Sequence, residues 1–454
     1  MMHVSPNDNL KLWLGAAVPR YTSYPPATAF HGGVAAIDYA ASLAKLPPEK
    51  PISLYIHIPF CDALCLYCGC NTGVTRRESR IERYLVALKD EMRMIAEQVG
   101  HRLSVSHLHF GGGTPNILSP QMIMELFAEL HQQFDFSHCK EIAVEIDPRV
   151  ATHEKVLAFA KCGVTRASLG VQDFKHDVQE LVHRIQPYEM VKQVCAWLHS
   201  SGIANINFDL MYGLPLQTPE SVAHTARQVC ELGPDRIALF SYAHLPRLKK
   251  HQQALEPCGI PDSIARLAMD DAARDVFIAH GYIAVGMDHF AKPDDGLVRA
   301  LNNGTLCRNF QGYTDDTTDT LIALGASSIS QTPDGFFQNE RQTETYQNII
   351  KQNMLATTRG YKMNDDDRVR GAIIQALMCY LSCDVERLCN SLGADVGQFS
   401  QAFEKLASFE ACGLVRLDGH TIKLTSRWRM PIRVICQVFD AHAQAVPAAF
   451  SKVA

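Results

Sequence analysis

The chain has 454 residues, which is more than one ordinary hydrophobic core accommodates and predicts two or three domains. Hydrophobic residues make up 47% and charged residues 20%, and a net charge of -5 gives no overall attraction to nucleic acid or anionic membranes. The sequence has no run of about 18 apolar residues and no basic segment before an apolar core, so we expect a cytoplasmic protein that binds neither membrane nor nucleic acid. In that reducing compartment, 15 cysteines do not predict a disulfide framework.

The N-terminal segment lacks sustained periodicity. PRYTSYPPATAF, residues 19–30, is rich in Pro and Tyr and predicts an extended segment that lies against another part of the protein. We assign residues 1–48 to this N-terminal arm.

Between about residues 50 and 290, short apolar runs alternate with amphipathic stretches such as ESRIERYLVALKDEMRMIAEQV (78–99), where apolar residues recur at helical spacing. The alternation predicts a parallel sheet with right-handed crossovers, either a full or partial barrel or an open doubly wound sheet. Both architectures bind ligands at the carboxyl ends of the strands. The predicted strands are SLYIHI (53–58), SHLHF (106–110), EIAVEI (141–146), RASLGV (166–171), NINFDL (205–210), RIALFS (236–241) and YIAVGM (282–287).

After about residue 360 the pattern changes to consecutive amphipathic helices. LVRLDGHTIKLT (414–425) follows them and contains two short runs around an Asp-Gly turn. Helices followed by a small hairpin predict a C-terminal domain of winged-helix type. We therefore expect an α/β core over residues 49–355 and a mostly helical C-terminal domain over residues 356–454.

Four cysteines stand close together in CDALCLYCGC (61–70), directly after the first predicted strand, and three of them have the spacing CxxxCxxC. A structural zinc site needs four ligands, usually as two pairs, and no second CxxC pair follows. A redox dithiol would leave Cys61 unused, and the spacing differs from that of ferredoxins. Three thiolates on an iron–sulfur cube would leave one iron without a protein ligand. The remaining cysteines are predicted to be small core residues: Cys139, Cys162, Cys195, Cys230, Cys258, Cys307, Cys379, Cys383, Cys389, Cys412 and Cys436.

The CxxxCxxC motif after the first strand of a repeated β/α unit resembles that of the radical S-adenosylmethionine (SAM) enzymes. The resemblance implies that Cys61, Cys65 and Cys68 hold one 4Fe-4S cluster and that SAM ligates the fourth iron. Cys70 lies two positions after Cys68, and its ligation would block that iron. We therefore expect Cys70 to be a non-ligand near the active site, with a role in turnover.

A narrower resemblance extends from residue 19 to about residue 330. It rests on the segments PRYTSYP, LYIHIPFC, CGC, HFGGGTPNIL, EIDPR, LGVQDF, VHR, FDLMYGLP, FSYAHLP, GMDHFA, RNFQGYT and LGASSIS. These segments are similar to those of the oxygen-independent coproporphyrinogen III oxidases (dehydrogenases).

This resemblance implies a partial (β/α)6 barrel with an N-terminal segment that closes over the active site and a helical, winged-helix-like C-terminal domain. The implied reaction converts the propionates of rings A and B of coproporphyrinogen III to vinyl groups, giving protoporphyrinogen IX in haem biosynthesis. The enzyme would be a monomer that uses two SAM molecules, an unidentified electron donor and an unidentified electron acceptor.

The same resemblance implies the residues of the two SAM sites. A carboxylate such as Glu145 suits a ribose because it can accept from two hydroxyl groups. The substrate carries four propionates, which require Arg, Lys or backbone N–H donors. Arg20 is a candidate for this role, and the alternative is a fixed arm with no substrate contact. The first SAM site is expected to comprise Tyr55, Gly112, Glu145 and Ile329. The second is expected to comprise Tyr67, Gly113, Thr114, Gln172, Arg184, Asp209 and Ala243.

Three other functions are compatible with parts of the sequence. A radical SAM haem chaperone would share the barrel, but such chaperones typically have CxxxCxYCxF and lack the PRYTSYP arm, whereas this chain has Cys70 in place of that Phe. A radical SAM methyltransferase that opens haem would also bind a porphyrin. A zinc-stabilised barrel without radical chemistry is the third alternative.

Overall fold

The computed structural model describes residue 13 and residues 15–443. None of the helices within this part of the chain is both long and apolar enough to span a membrane. The helices, in chain order, are α1 (Ala36–Leu43), α2 (Glu78–Val99), α3 (Pro120–Gln133), α4 (His153–Lys161), α5 (His176–Leu181), α6 (Tyr188–Ser200), α7 (Pro219–Leu232), α8 (Ser263–Ala279), α9 (Gly296–Asn303), α10 (Thr343–Lys351), α11 (Asp365–Tyr380), α12 (Val385–Ser391), α13 (Ser400–Ala411) and α14 (Ile432–Gln437).

The strands follow the same order along the chain. They are β1 (Ile52–Ile58), β2 (Phe60–Cys61), β3 (Gly73–Val74), β4 (Val105–Gly112), β5 (Glu141–Ile146), β6 (Arg166–Gln172), β7 (Asn205–Tyr212), β8 (Arg236–Ser241), β9 (Ile283–Val285), β10 (His289–Ala291), β11 (Cys307–Asn309), β12 (Gly312–Thr314), β13 (Leu321–Leu324), β14 (Ile329–Thr332), β15 (Gly335–Asn339), β16 (Thr357–Lys362), β17 (Ser382–Asp384), β18 (Val415–Asp418) and β19 (Thr421–Leu424).

The chain forms two compact units that interleave in sequence. Unit A comprises residues 30–209 and 318–363. Unit B comprises, within the described residues, those before 30, residues 210–317 and residues 364–443. Strand β7 runs across the division after Asp209.

Unit A contains a sheet whose central strands are parallel. β1 pairs in parallel with β4 on one side and with β13 on the other, and the parallel pairing continues from β4 to β5 and from β5 to β6. The first crossover is α2, whose bounds are those predicted from its apolar spacing. It ends at Gly100, whose left-handed conformation (φ 78°) is the usual helix stop. The predicted α/β class is confirmed.

The other edge of this sheet consists of β14, β15 and β16, which pair antiparallel to one another, with β13 joined antiparallel to β14. These strands were not predicted as a group. They are four to six residues long, so the apolar pattern of each strand spans too few residues to show a period.

Unit B has its own strand set. β10 pairs antiparallel with both β8 and β9. The expectation that YIAVGM is another parallel strand is wrong, because only three residues separate β9 from β10 and a parallel crossover needs many more. In the C-terminal part, β17, β19 and β18 form an antiparallel sheet beside α11, α12 and α13, which confirms the predicted winged-helix-like arrangement.

All 15 cysteines carry free thiols. Of those predicted to be core residues, Cys195, Cys379, Cys383, Cys389 and Cys436 are buried. Most of the others are half-buried. The prediction is wrong for Cys258, which is exposed in the segment between β8 and α8.

Candidate active site

The four clustered cysteines lie on one short, closed loop. After β1, the chain forms β2, and β2 pairs in parallel with β3, so Cys61 stands opposite Val74 and residues 62–72 form the loop between them. Inside the loop, the N–H of Cys68 donates to the carbonyl of Cys65 at 3.1 Å. This turn brings the second and third cysteines of the CxxxCxxC motif close together, and all three cysteines of the motif line one cavity.

Hydroxyl groups surround the sulfur of Cys61. Thr114 donates to Sγ at 3.3 Å, and Thr72 Oγ1 lies 3.1 Å from the same atom. Burial raises the pKa of the Cys61 thiol, and the hydrogen bonds from the two threonines oppose that increase. The hydroxyls therefore favour the thiolate, which is the form that ligates a metal.

Two arginines contact the sulfur of Cys65. Nη2 of Arg149 and Nη1 of Arg184 each lie 3.5 Å from Sγ. Asp147 lies between the arginines and accepts from Arg149 at 2.6 Å and from Arg184 at 3.2 Å. Burial raises the pKa of Asp147, but the two guanidinium groups outweigh burial and hold it below its ordinary value. Two cations and one carboxylate leave a net positive charge beside Cys65, which suits an anionic group.

Three glycines at the end of β4 allow side chains from neighbouring strands to approach closely. A Cβ on Gly111 would lie 2.7 Å from Oε1 of Glu145 and 2.9 Å from the hydroxyl of Tyr55. Gly112 has a positive φ of 118° and donates its N–H to Glu145 at 3.2 Å. A Cβ on Gly113 would lie 2.6 Å from the carbonyl oxygen of Phe60. Only glycine fits this segment, so the triple glycine is a requirement of packing at the site as well as a turn.

The cysteine loop and the ends of β4, β5, β6 and β7 enclose a cavity of about 250 Å³ in unit A. This volume is slightly below the range for small-molecule sites. Most residues predicted from the sequence lie in its wall. These are Cys61, Cys65, Tyr67, Cys68, Cys70, Gly112, Gly113, Thr114, Glu145, Gln172, Arg184 and Asp209.

Four predicted residues are not in the wall of this cavity. Tyr55 packs parallel to His109 with ring centroids 5.9 Å apart, and Ile329 is half-buried at the start of β14. Ala243 and Arg20 belong to unit B. The carbonyl of Ala243 accepts from Gln252 at 3.2 Å, and Arg20 donates from Nη2 to the carbonyl of Ser241 at 2.7 Å.

Asp209, in the cavity wall, has a raised pKa. Burial raises the pKa of Asp209 to about 7, and the negative charge of Glu145 acts in the same direction. The hydroxyl of Ser168 donates to Asp209 at 3.2 Å and partly compensates. Near neutral pH this carboxyl group can therefore change its protonation state when a ligand binds.

Cys70 differs from the other three cysteines of the loop because it is exposed. Its thiol is within hydrogen-bonding distance of Cys68. The structure thus keeps it in the cavity wall without burying it.

The residues present fit an iron–sulfur cluster. Three thiols line one cavity, hydroxyl and guanidinium donors contact two of the sulfurs, and the arginines supply positive charge to a group that carries thiolates. Within the described residues, no set of three His, Cys, Asp or Glu side chains is arranged to hold a single metal ion. Gly112 and Gly113 line the same cavity, and their N–H groups donate to Glu145 and to the carbonyl of Ile58.

The structure adds residues to the site that the sequence did not indicate. Asp147, Arg149, Thr72 and Ser168 line the cavity together with the predicted residues. A signal was present for the first two, because EIDPR places charged residues directly after a buried strand, where charges are costly unless they face a ligand or each other. Thr72 and Ser168 carry no comparable signal in the sequence.

Comparisons with known proteins agree with this arrangement. The family model for the radical SAM superfamily matches residues 55–229. The chain is 44% identical over 425 residues to the oxygen-independent coproporphyrinogen III oxidase of Bradyrhizobium diazoefficiens. The aligned residues cover 94% of each of the two chains. It is 40% identical over 428 residues to the enzyme of the same description from Pseudomonas aeruginosa, with 93% of both chains covered. A solved structure of coproporphyrinogen III oxidase from Escherichia coli, described as a radical SAM enzyme, matches with a TM-score of 0.89 at 37% identity and covers 93% of this chain and 97% of that one.

Proposed function

The chain belongs to the oxygen-independent coproporphyrinogen III oxidases of the radical SAM superfamily, and on this premise we propose the detailed reaction that it catalyses. It converts two propionate groups of coproporphyrinogen III, those of rings A and B, to vinyl groups and so produces protoporphyrinogen IX. The observation that carries the proposal is the common cavity of the three CxxxCxxC thiols and the glycine end of β4, in a chain that matches the family over nearly its whole length.

Cys61, Cys65 and Cys68 would hold one 4Fe-4S cluster, and Cys70 would not ligate it. When bound, the cluster supplies the electron that cleaves SAM, and the product of that cleavage accepts a hydrogen atom from the substrate. Arg149 and Arg184 stabilise negative charge at Cys65, because each guanidinium group lies 3.5 Å from its sulfur.

We propose two SAM molecules per chain. Glu145 would accept from the ribose hydroxyls of the first, and its carboxylate is held for this by the N–H of Gly112 and by the ring of His109 at 3.2 Å. The first site would also contain Tyr55 and Ile329. For the second, Arg184 and Asp209 offer opposite charges in one cavity. The other contacts proposed for the second site are Tyr67, Gly113, Thr114, Gln172 and Ala243.

The atoms and electrons of each decarboxylation balance as follows. One hydrogen atom leaves the β-carbon of the propionate, the carboxylate leaves as CO2, and one electron passes to an acceptor, so that a carbon–carbon double bond remains. The reaction must exclude water, which is a task for a closed site. We propose the N-terminal arm, residues 1–48, as the part that closes it, with residues 49–355 as the catalytic core and residues 356–454 as the C-terminal domain.

The proposal has further parts that the cavity does not bear on. They are a cytoplasmic location, a monomeric state, an electron donor and acceptor still to be identified, and the absence of nucleic-acid and membrane partners. The side chains that line the described cavity do not identify the electron acceptor.

Product analysis tests the proposed reaction. Anaerobically reconstituted protein is given dithionite, SAM and coproporphyrinogen III, and the tetrapyrroles are oxidised and analysed by mass. We expect a product that has lost two carboxyl groups, together with 5'-deoxyadenosine. Cys65→Ala should abolish both products, whereas Cys258→Ser, which changes an exposed thiol in unit B, should leave both unchanged. A methylated linear tetrapyrrole, or stoichiometric haem retained without turnover, would contradict the proposal.

A further inference from the structure

Unit B buries an arginine of which two nitrogens lack a hydrogen-bond partner in the part of the chain that the structure describes. Arg308 lies in β11, and its side chain is only 3% exposed. Its Nε and Nη1 atoms have no hydrogen-bond partner among the described residues. A buried donor without a partner costs on the order of 1 to 3 kcal/mol, and more for a charged group. Two such donors on one side chain therefore require an explanation beyond packing.

The surroundings of Arg308 hold its guanidinium group in place. The group lies 4.5 Å above the ring centroid of Tyr313 in β12. The hydroxyl of Tyr313 is itself fixed, since it donates to the carbonyl of Met378 at 2.7 Å and accepts from the N–H of Met287 at 2.9 Å. Arg308 is thus a preorganised cation on a rigid aromatic surface.

Two other arginines, Arg20 and Arg433, lie near Arg308, and both donate hydrogen bonds to backbone carbonyls. Arg20 donates to the carbonyl of Ser241, the last residue of β8. Arg433 donates to the carbonyls of Val18 and Pro19 and so holds the N-terminal arm. Arg20 and Arg433 therefore have evident partners, whereas Arg308 keeps two nitrogens free of them.

Arg20 and Arg308 have a carboxylate neighbour in common. Asp288 is the carboxylate that acts most strongly on both Arg20 and Arg308 among the described residues. It forms an ion pair with Nη1 of Arg308 at 3.8 Å, too long for a hydrogen bond. Burial, followed by the charge of Arg20, lowers the pKa of Arg433 to about 9, so buried guanidinium groups lie close together here. Among the described residues, Asp288 is the carboxylate neighbour that Arg20 and Arg308 share, and Nη1 of Arg308 is not hydrogen-bonded to it.

A ligand that satisfies this arrangement must carry a negative charge and oxygen acceptors. Carboxylates meet both requirements and form strong charge-assisted hydrogen bonds with arginine. The substrate of the proposed reaction has four propionates, of which two are not consumed. We propose that Arg308, assisted by Arg20, binds a propionate carboxylate of the tetrapyrrole. The inference rests on the proposed function and assigns a substrate contact that the cysteine loop does not provide.

Binding of an unreactive porphyrin tests the inference. The probe is coproporphyrin III, which keeps all four carboxylates, and its tetramethyl ester is the uncharged comparison. Both are titrated by fluorescence into the full-length, anaerobically reconstituted protein. We expect Arg308→Gln to weaken coproporphyrin binding by about tenfold or more, as the loss of one charge-assisted hydrogen bond predicts, and to change ester binding by less than about twofold. Arg308→Lys should give an intermediate loss, because lysine keeps the charge without the planar group.

Controls separate a binding role from a structural one. Arg416→Gln changes an exposed arginine of β18 in the same unit and should leave both affinities unchanged. Iron content and SAM binding of Arg308→Gln should equal those of the wild type. If Arg308→Gln does not fold, Arg308→Lys and Arg20→Gln provide the same comparison between the acid and the ester.

Two different failures can be told apart. If the wild type binds coproporphyrin III no better than its ester, the proposed function is in error. If the wild type prefers the acid and the arginine variants keep that preference, the proposed function stands and the role of Arg308 is overturned. Equal losses for acid and ester would also overturn it, because they would show that Arg308 supports the shape of the site and not the carboxylate.

Discussion

Arg184 donates from Nη1 to the sulfur of Cys65 at 3.5 Å, although the two residues are 119 positions apart in the sequence. Arg149 makes the corresponding contact from the other side at the same distance. Donors and positive charge at a ligand sulfur stabilise the reduced, more negative form of an iron–sulfur cluster. We therefore propose that these two side chains would raise the reduction potential of a cluster held by Cys65.

Removing one of these cations should lower that potential. For Arg149→Gln we expect a shift to more negative values on the order of 60 mV, which is one tenfold step for a one-electron couple. A redox titration followed by electron paramagnetic resonance measures it. Arg83→Gln is the control, because Arg83 is exposed on α2 and donates to the carbonyl of Ser79 in its own helix. An unchanged or more positive potential in Arg149→Gln would contradict the electrostatic role of the arginine.

Cys70 should be dispensable for cluster assembly. We expect Cys70→Ser to retain the full iron and sulfide content, because the proposed ligands are the other three cysteines of the loop. Cys65→Ser should lose most of the iron, since it removes a buried ligand. Iron and sulfide analysis after anaerobic reconstitution measures both variants. A Cys70→Ser protein that binds no cluster would show that the ligands have been assigned incorrectly.

The glycine at position 113 should not tolerate a side chain. A Cβ there would lie 2.6 Å from the backbone carbonyl oxygen of Phe60, so the end of β4 would have to move. We expect Gly113→Ala to reduce the free energy of unfolding by roughly 1 to 3 kcal/mol and to weaken SAM binding. Gly69→Ala is a matched control in the cysteine loop, because nothing lies within 4 Å of its added Cβ. Equal stability and SAM affinity in the two variants would contradict the packing argument.

Binding of the second SAM should depend on pH through Asp209. Burial raises the pKa of this group to about 7 in the free protein, and a ligand that donates to the carboxylate requires its ionised form. SAM affinity at this site should therefore fall about tenfold per pH unit below 7 and reach a plateau above it. Asp209→Asn should bind more weakly at high pH and lose the slope.

Equilibrium dialysis with labelled SAM measures this pH dependence and also counts the sites. Asp319→Asn serves as the control, because Asp319 lies on the surface of unit A, where it pairs with Lys50 at 2.9 Å. The same slope in Asp209→Asn as in the wild type would exclude Asp209 as its source. A single SAM per chain would contradict the two-site proposal.

Much of the fold was predictable because long elements repeat one pattern. The helix over residues 78–99 has about six turns of consistent spacing, and the strands of the parallel set are short runs rich in apolar residues between helices. The antiparallel strands β13 to β16 were not predictable in this way, since each is too short to establish a period. The direction of β9 depends on the length of its connection to β10, which becomes clear only when both strands are known.

The site was predictable where local spacing carries the chemistry. The CxxxCxxC motif and the triple glycine are contiguous in the sequence, and the family resemblance supplied most of the other residues in the cavity wall. The contacts of Arg149 and Asp147 with the cysteine loop were not predictable, because they depend on which strand ends meet in space. The two unsatisfied nitrogens of Arg308 are likewise a property of tertiary structure.

The most direct test follows a single hydrogen atom. Coproporphyrinogen III deuterated at the β-carbons of its propionates is incubated anaerobically with the reconstituted protein, dithionite and SAM, and the 5'-deoxyadenosine is analysed by mass. The account predicts one deuterium atom in 5'-deoxyadenosine for each vinyl group formed. Formation of 5'-deoxyadenosine without deuterium, while the tetrapyrrole keeps all four carboxyl groups, would contradict it.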